Sequence, residues 1–249
     1  MRLKLIACNV FQREACHCLA RTPHVVDVEF TELGEHVHSA TLRNAIQARI
    51  DAAAASGKPY DAVLLLYGIC GNATVGITAR NIPLVIPRAH DCCGILLGSR
   101  ETFKTHFADN PSMPFSSSSY LERGDYYLRV EEEGSRMHYG DAFAAYVEQY
   151  GEENAKYIWE TMHPPHPDIS RKAVFIEIPE TAHLGYARTF KARAEADGKE
   201  FVCLSGSLRI VEKLISGDWT DDEFLVLQPG QKCVGVYDWD EIIRAGPVQ

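Results

Sequence analysis

Apolar residues in this chain come in short, separate runs. Residues 3–7, 25–30, 62–67 and 83–86 are rich in Leu, Ile, Val and Phe, and most are bounded by Gly, Pro or polar positions. Runs of this length, rich in β-branched residues, predict strands, and the fully apolar ones predict burial on both faces of a parallel sheet. The stretches between them carry helical patterning: 12–20, an alanine-rich amphipathic segment over 40–55 with Ser39 as its N-cap, 72–80, and a helical start over 92–97. Gly57-Lys58-Pro59 ends the longest of these. Strand alternating with helix over a hundred residues is the pattern of βαβ units.

From residue 101 to residue 171 the alternation lapses. Pro111 to Ser119 is rich in Pro and Ser and reads as a loop, followed by Tyr120, Tyr126 and Tyr127. Residues 141–162 read as a long helix, closed by Pro164, Pro165 and Pro167. Long irregular stretches in compact domains tend to be functional, so this one is expected to be an insertion or lid. Alternation then resumes, with strands over 173–178, 201–204 and 224–227 and helices over 186–196 and 207–215. The expected architecture is one compact α/β unit of two Rossmann-like βαβ halves with mostly parallel sheets. Residues 1–100 form the N-terminal half, 101–170 the helical and loop insertion, and 171–249 the C-terminal half.

Composition narrows the class of partner. The chain has 249 residues, 46% hydrophobic and 24% charged, with a formal net charge of -9. That charge, and the absence of a dense Lys/Arg cluster, argue against nucleic acid and anionic membranes. No apolar run reaches the length of a membrane span. The N-terminal apolar patch soon turns polar, unlike an export signal, so a cytoplasmic protein acting on a small molecule is expected. The eight cysteines are then expected to be reduced, as buried residues or thiolate ligands.

The chemistry gathers in residues 62–100, because two apolar runs are each followed at once by reactive side chains. Gly68-Ile69-Cys70-Gly71-Asn72 follows the first, and Arg88-Ala89-His90-Asp91-Cys92-Cys93 the second. In parallel sheets ligands bind at the carboxyl ends of the strands. Thiolate and imidazole are the ligands zinc favours, so Cys70, His90 and Cys92 are the expected ligands of a divalent metal, zinc first. Cys8 follows the first strand and is a possible further ligand. The alternative for each is ordinary burial, since free cysteine is often a small core residue. Cys70, between two glycines near a helix start, also suits a nucleophile or redox thiol.

Other residues have supporting roles in this reading. Glu14 is a candidate base or carboxylate ligand, and Arg88 a candidate clamp for an anionic substrate. Asn72, Ser205 and Ser207 are candidates for substrate binding, although a serine before a helix is more often only a cap. His36 and His38 sit at the end of a βα connection. Cys16, Cys18, Cys203 and Cys233 are expected to be packing residues.

Several segments carry a resemblance. Leu5-Ile6-Ala7-Cys8-Asn9-Val10-Phe11, Leu66-Tyr67-Gly68-Ile69-Cys70-Gly71-Asn72, Val85-Ile86-Pro87-Arg88-Ala89-His90-Asp91-Cys92 and Leu97-Gly98-Ser99-Arg100 resemble a prokaryotic family known as a domain of unknown function, numbered sixteen-thirty-eight. Gly206-Ser207-Leu208-Arg209, Gly217-Asp218-Trp219 and Phe224 to Gly230 extend the resemblance over nearly the whole chain. The family's frequent place beside corrinoid-dependent methyltransferases implies a role in metabolising methylated compounds, with a corrinoid protein as possible partner. His90-Asp91-Cys92 is similar to the His-x-Cys zinc motif of methylcobamide methyltransferases, which implies thiol-linked methyl transfer. The segment 111–120 departs from the Pro-Gly-Thr-Tyr run expected of the family, which implies a different substrate if that loop closes over the site. Two readings compete with a zinc enzyme. One is an iron–sulfur or redox protein using Cys8, Cys70 and Cys92, and the other a non-catalytic protein that handles metal or corrinoid.

Overall fold

The computed structural model describes residues 1–32, 39–109, 113, 115–123, 152, 172–236 and 238–248. Its first sheet has the strand order β2-β1-β3-β4-β8, formed by β1 (Arg2–Cys8), β2 (Val25–Thr31), β3 (Ala62–Leu66), β4 (Leu84–Pro87) and β8 (Phe224–Leu227). β1 pairs in parallel with both β2 and β3, and β3 with β4, whereas β8 runs antiparallel against β4. The order 2-1-3-4 is that of a flavodoxin-like doubly wound sheet, in which the chain reverses its direction of travel between β1 and β3.

Sequence explains the order. Every residue of β3 and β4 is buried, so both faces of these central strands are covered. β2 is half-exposed at the edge and carries Asp27 and Glu29, which pair with Arg2 and Lys4 of β1. Helix α2 (Ser39–Ala55) packs on β1 and buries Leu42, Ile46 and Ile50. Helix α1 (Gln12–Leu19) packs against α7 (Arg209–Ser216), and α7 lies on β3 and β4 through Val211, Leu214 and Ile215.

A second, three-stranded sheet has the order β5-β6-β7 and is wholly parallel. It comprises β5 (Phe115–Ser117), β6 (Lys172–Glu177) and β7 (Glu200–Ser205), with α6 (Tyr186–Ala196) crossing between the last two. Phe175 and Phe190 meet beneath α6 at 5.3 Å. Val174 and Ile176 of β6 belong to the same core as the first sheet. A hairpin of β9 (Gln231–Gly235) and β10 (Ile243–Pro247) completes the described elements.

The α/β class and the mostly parallel central sheet agree with the sequence pattern, and three local expectations need correction. Residues 72–80 form turns, not a helix, since Cys70, Asn72 and Gly76 all take positive φ and break any helical path. The serine run is not an exposed loop: Phe115–Ser117 is a strand, Ser118–Arg123 a helix (α5), and Ser116 to Tyr120 are all buried. The run at 224–227 joins the first sheet, not the C-terminal one. His36, His38, Tyr126, Tyr127 and the helix expected over 141–162 (Glu152 excepted) lie outside the described residues.

Candidate functional site

The carboxyl ends of β1, β3 and β4 deliver three cysteines to one place. Cys8 is the last residue of β1 and is buried, while Cys70 and Cys92 are half-buried. Cys70 takes a left-handed conformation, φ 46°, in the turn after β3. That turn runs beside the loop after β4: the Ile69 N–H donates to the Ala89 carbonyl at 3.0 Å and the Cys70 N–H to the His90 carbonyl at 3.1 Å. Gly68 makes the approach possible, since a Cβ there would stand 2.5 Å from the Asp91 Cα. The backbone N–H of Cys92 is then close enough to hydrogen-bond the Cys70 sulfur.

Two tyrosines complete the cluster. The Tyr120 hydroxyl, on α5, lies 2.6 Å from the Cys92 sulfur. Tyr67, at the end of β3, shares a 2.6 Å hydrogen bond with the Thr31 hydroxyl. All these groups sit in one another's electrostatic field. Burial pushes the Cys70 thiol up to about 12, helped by Asp91 and Cys8 and opposed by the Gly68 and Cys92 amides. Burial raises the Cys92 thiol well above its ordinary value, with Cys70, Asp91 and Cys8 adding and the Tyr120 hydroxyl opposing. Burial also raises Tyr120 well above its ordinary value, with Cys92, Cys8 and Cys70 contributing. The cluster thus disfavours negative charge.

Asp91 anchors the arrangement as N-cap of α3 (Cys92–Leu97), accepting from the Gly94 N–H at 3.1 Å. Burial lifts its carboxyl to about 6.

Glu14 stands near this cluster in a role of its own. It is 1% exposed on α1, and its two carboxylate oxygens accept from the Ser119 hydroxyl at 3.1 and 2.9 Å. Burial raises its pKa. Ser119 and Tyr120 are successive residues of α5, so one turn of helix touches both Glu14 and Cys92.

Other expected site residues lie elsewhere. His90 faces away from the thiols: its ring stacks on Phe103 at 5.5 Å and meets the edge of Trp239 at 5.0 Å. Arg88 is buried and held by the backbone carbonyls of Asp221, Glu241 and Ile243, so it braces the C-terminal segment instead of waiting for an anion. The Asn72 carbonyl accepts from Arg43 at 2.7 Å. Ser207 serves the scaffold: its hydroxyl accepts from the Arg209 N–H at 3.2 Å and its own N–H donates to the Leu96 carbonyl at 2.8 Å. Ser205 ends β7 and is exposed. Cys16 and Cys203, expected to pack, are exposed, whereas Cys18 and Cys233 are buried. As arranged, no group of three or more His, Cys, Asp or Glu among the described residues forms a ready metal cage.

The profile of a family described as a protein of unknown function (DUF1638) matches residues 30–215. The chain belongs to that family. Cys70, Cys92, Tyr120 and His90 fall inside the matched span, and Cys8 and Glu14 precede it. No curated protein and no solved structure matches the chain significantly. No helix among the described residues is long and apolar enough to cross a membrane.

Proposed function

We propose that this DUF1638 protein binds a soft metal ion at the reversal point of its first sheet, through Cys8, Cys70 and Cys92, and uses it to activate a small thiol for methyl transfer. The observation that supports this reading is the convergence of three thiols from three strand ends, two of them flanking the β1/β3 crevice where such sheets place ligands. Among common ions, zinc suits sulfur ligands and a tetrahedral site with one open position. Bound there, the metal would supply a lowered pKa to a substrate thiol, as it does to coordinated water.

The chain's own residues set the terms of binding. The three thiols must lose their protons and close on the ion, so loading should release protons and tighten as pH rises. Tyr120, hydrogen-bonded to Cys92, would then donate to a thiolate in place of a thiol. Burial raises the Glu14 carboxyl pKa, which disfavours its negative charge near the site. In the transfer, the substrate sulfur forms the new S–CH3 bond. A methylated corrinoid carried by a partner protein would be the donor, and the electron pair of the broken cobalt–carbon bond would stay with it.

His90 leaves the ligand set in this reading, which brings a second one forward. Three cysteines without a histidine are also the set that holds an iron–sulfur cluster with one iron open. Metal analysis and absorption spectra of untagged protein purified without oxygen test both. Zinc at one per chain supports the first, and a brown chromophore with iron and sulfide the second. Cys8→Ala, Cys70→Ala and Cys92→Ala should each remove most bound metal, while His90→Ala, Cys16→Ala and Cys203→Ala should retain it. Full retention in all three site variants would end the proposal.

A further inference from the structure

The two larger sheets have four outer strands, and three of these are protected against pairing with another chain. β2 carries Asp27 and Glu29, which pair with Arg2, Lys58, Lys4 and Arg49. β8 lies beside the hairpin of β9 and β10. β5, reached from the first sheet through α3 and α4 (Arg100–Phe107), has three residues, two of them fully buried serines. β7 has none of these devices. Among the described residues it pairs with β6 alone, and over six residues it carries one charge, Glu200, at its start. Phe201, Val202 and Leu204 are half-buried and Cys203 is exposed. Natural sheets seldom leave such an edge open, because its free N–H and C=O groups recruit a further strand.

The pattern along β7 fits its own copy. A two-fold axis normal to the sheet makes antiparallel neighbours and keeps the two faces in common. Centred on Cys203, that axis sets Val202 against Leu204 of the second copy, twice, on the face where both pack on the main core. Centred on Val202 it would set Glu200 against Leu204, an unfavourable match. On the α6 face Phe201 then meets Ser205 of the second copy, whose neighbour on β6 is Glu177. Lys191 of α6 stands 6.0 Å from the Phe201 ring centre. Its ammonium is thereby brought toward Glu177 of the second copy, and symmetry repeats this charge match. The competing pair of Lys191 with Glu195, at 3.8 Å, is mostly exposed and weak.

We propose that β7 pairs with β7 of a second copy across this axis, joining two three-stranded sheets into one of six and setting Cys203 beside its counterpart. A pair of edge strands is smaller than a standard interface of about 1,200–2,000 Å², so the dimer forms reversibly with concentration. The pairing requires no metal and does not depend on the thiol cluster.

Sedimentation of the full chain over a concentration series should show the mass rise from monomer to dimer. Residues directly opposed in antiparallel strands have Cα atoms about 4.5–5.5 Å apart, within the range that a disulfide spans. The azo oxidant diamide, which takes two electrons and two protons from a pair of thiols, should therefore link copies through Cys203. Cys16, the other exposed cysteine, controls for random collision. The link should survive Cys16→Ser and disappear in Cys203→Ser. Cys203→Lys should weaken dimerisation at least tenfold, by placing like charges opposite each other. Lys191→Glu should also weaken it, and Lys191→Glu combined with Glu177→Lys should restore it, which a folding defect would not do. A chain that stays monomeric throughout overturns the proposal. So does a chain linked as readily through Cys16 as through Cys203.

Discussion

The Tyr120 hydroxyl lies 2.6 Å from the Cys92 sulfur, though the two residues belong to helices that follow different sheets. Tyr120 rides on α5, which continues directly from β5 of the second sheet, and Cys92 opens α3 after β4 of the first. Around this bond α5 makes three more ties to α1, through Ser119 to Glu14, Glu122 to Arg13 and Arg123 to Gln12. The thiol cluster therefore sits where the carboxyl ends of the parallel strands of both sheets are stitched together.

Tyr120→Phe should destabilise the metal-free protein by about 1 kcal/mol, the net worth of an ordinary hydrogen bond. In a Cys92→Ala background the same change should have a much smaller effect. A double-mutant cycle by denaturant titration, with a coupling of roughly 0.5–1.5 kcal/mol, checks it. Strict additivity would show that the contact carries no energy.

Asp91→Asn tests the linkage at the helix cap. Burial lifts the Asp91 carboxyl from its ordinary 3.8 to about 6, so the native state holds this proton more tightly than the unfolded chain. The resulting stabilisation is complete below about pH 4 and is lost as pH rises through about 6. Asparagine caps a helix about as well and never ionises. The metal-free variant should match the parent near pH 4 and exceed it above pH 6, by on the order of 1–3 kcal/mol. Urea midpoints across that range give the answer, and parallel curves would refute the shift.

Gly68→Ala should be costly for a reason other than lost flexibility. Its Cβ would fall 2.5–2.8 Å from the Asp91 N, Cα and C atoms, where no side chain can give way. Overpacking of this kind costs about 1–3 kcal/mol, and here it also pushes the Cys70 turn away from Cys92. The expected signature is a lowered denaturation midpoint together with weaker metal binding. Loss of stability with unaltered metal affinity would separate the glycine from the site.

What the sequence disclosed depends on range along the chain. β3 and β4 were legible because five and four consecutive buried apolar positions leave no other reading. Cys8, Cys70 and Cys92 could be placed at strand ends for the same reason. The direction of His90 was not legible: two positions apart along a strand share a face, but Asp91 caps a helix, and Cys92 already follows helical geometry. Cys70 gives no compositional warning of its positive φ, whereas Asn72, following Gly71, is of a type that tolerates it. The serine run was misread because small polar residues usually mean a loop, whereas here pairing with β6 overrides composition. Tyr120 was noticed only as part of a possible lid, since its partner lies 28 positions away and no local pattern encodes the meeting.

The antiparallel strand β8 has a consequence for the newborn chain. Arg88, just past β4, waits for Asp221, 133 positions later, before the outer flank of β4 can close. At ~5–20 residues per second, translation leaves that flank open for roughly 7 to 27 seconds. An unpaired apolar edge is a template for foreign strands, and Leu84, Val85 and Ile86 form one. The hazard in making this protein thus lies in a waiting interval during synthesis, when cover from a chaperone matters most.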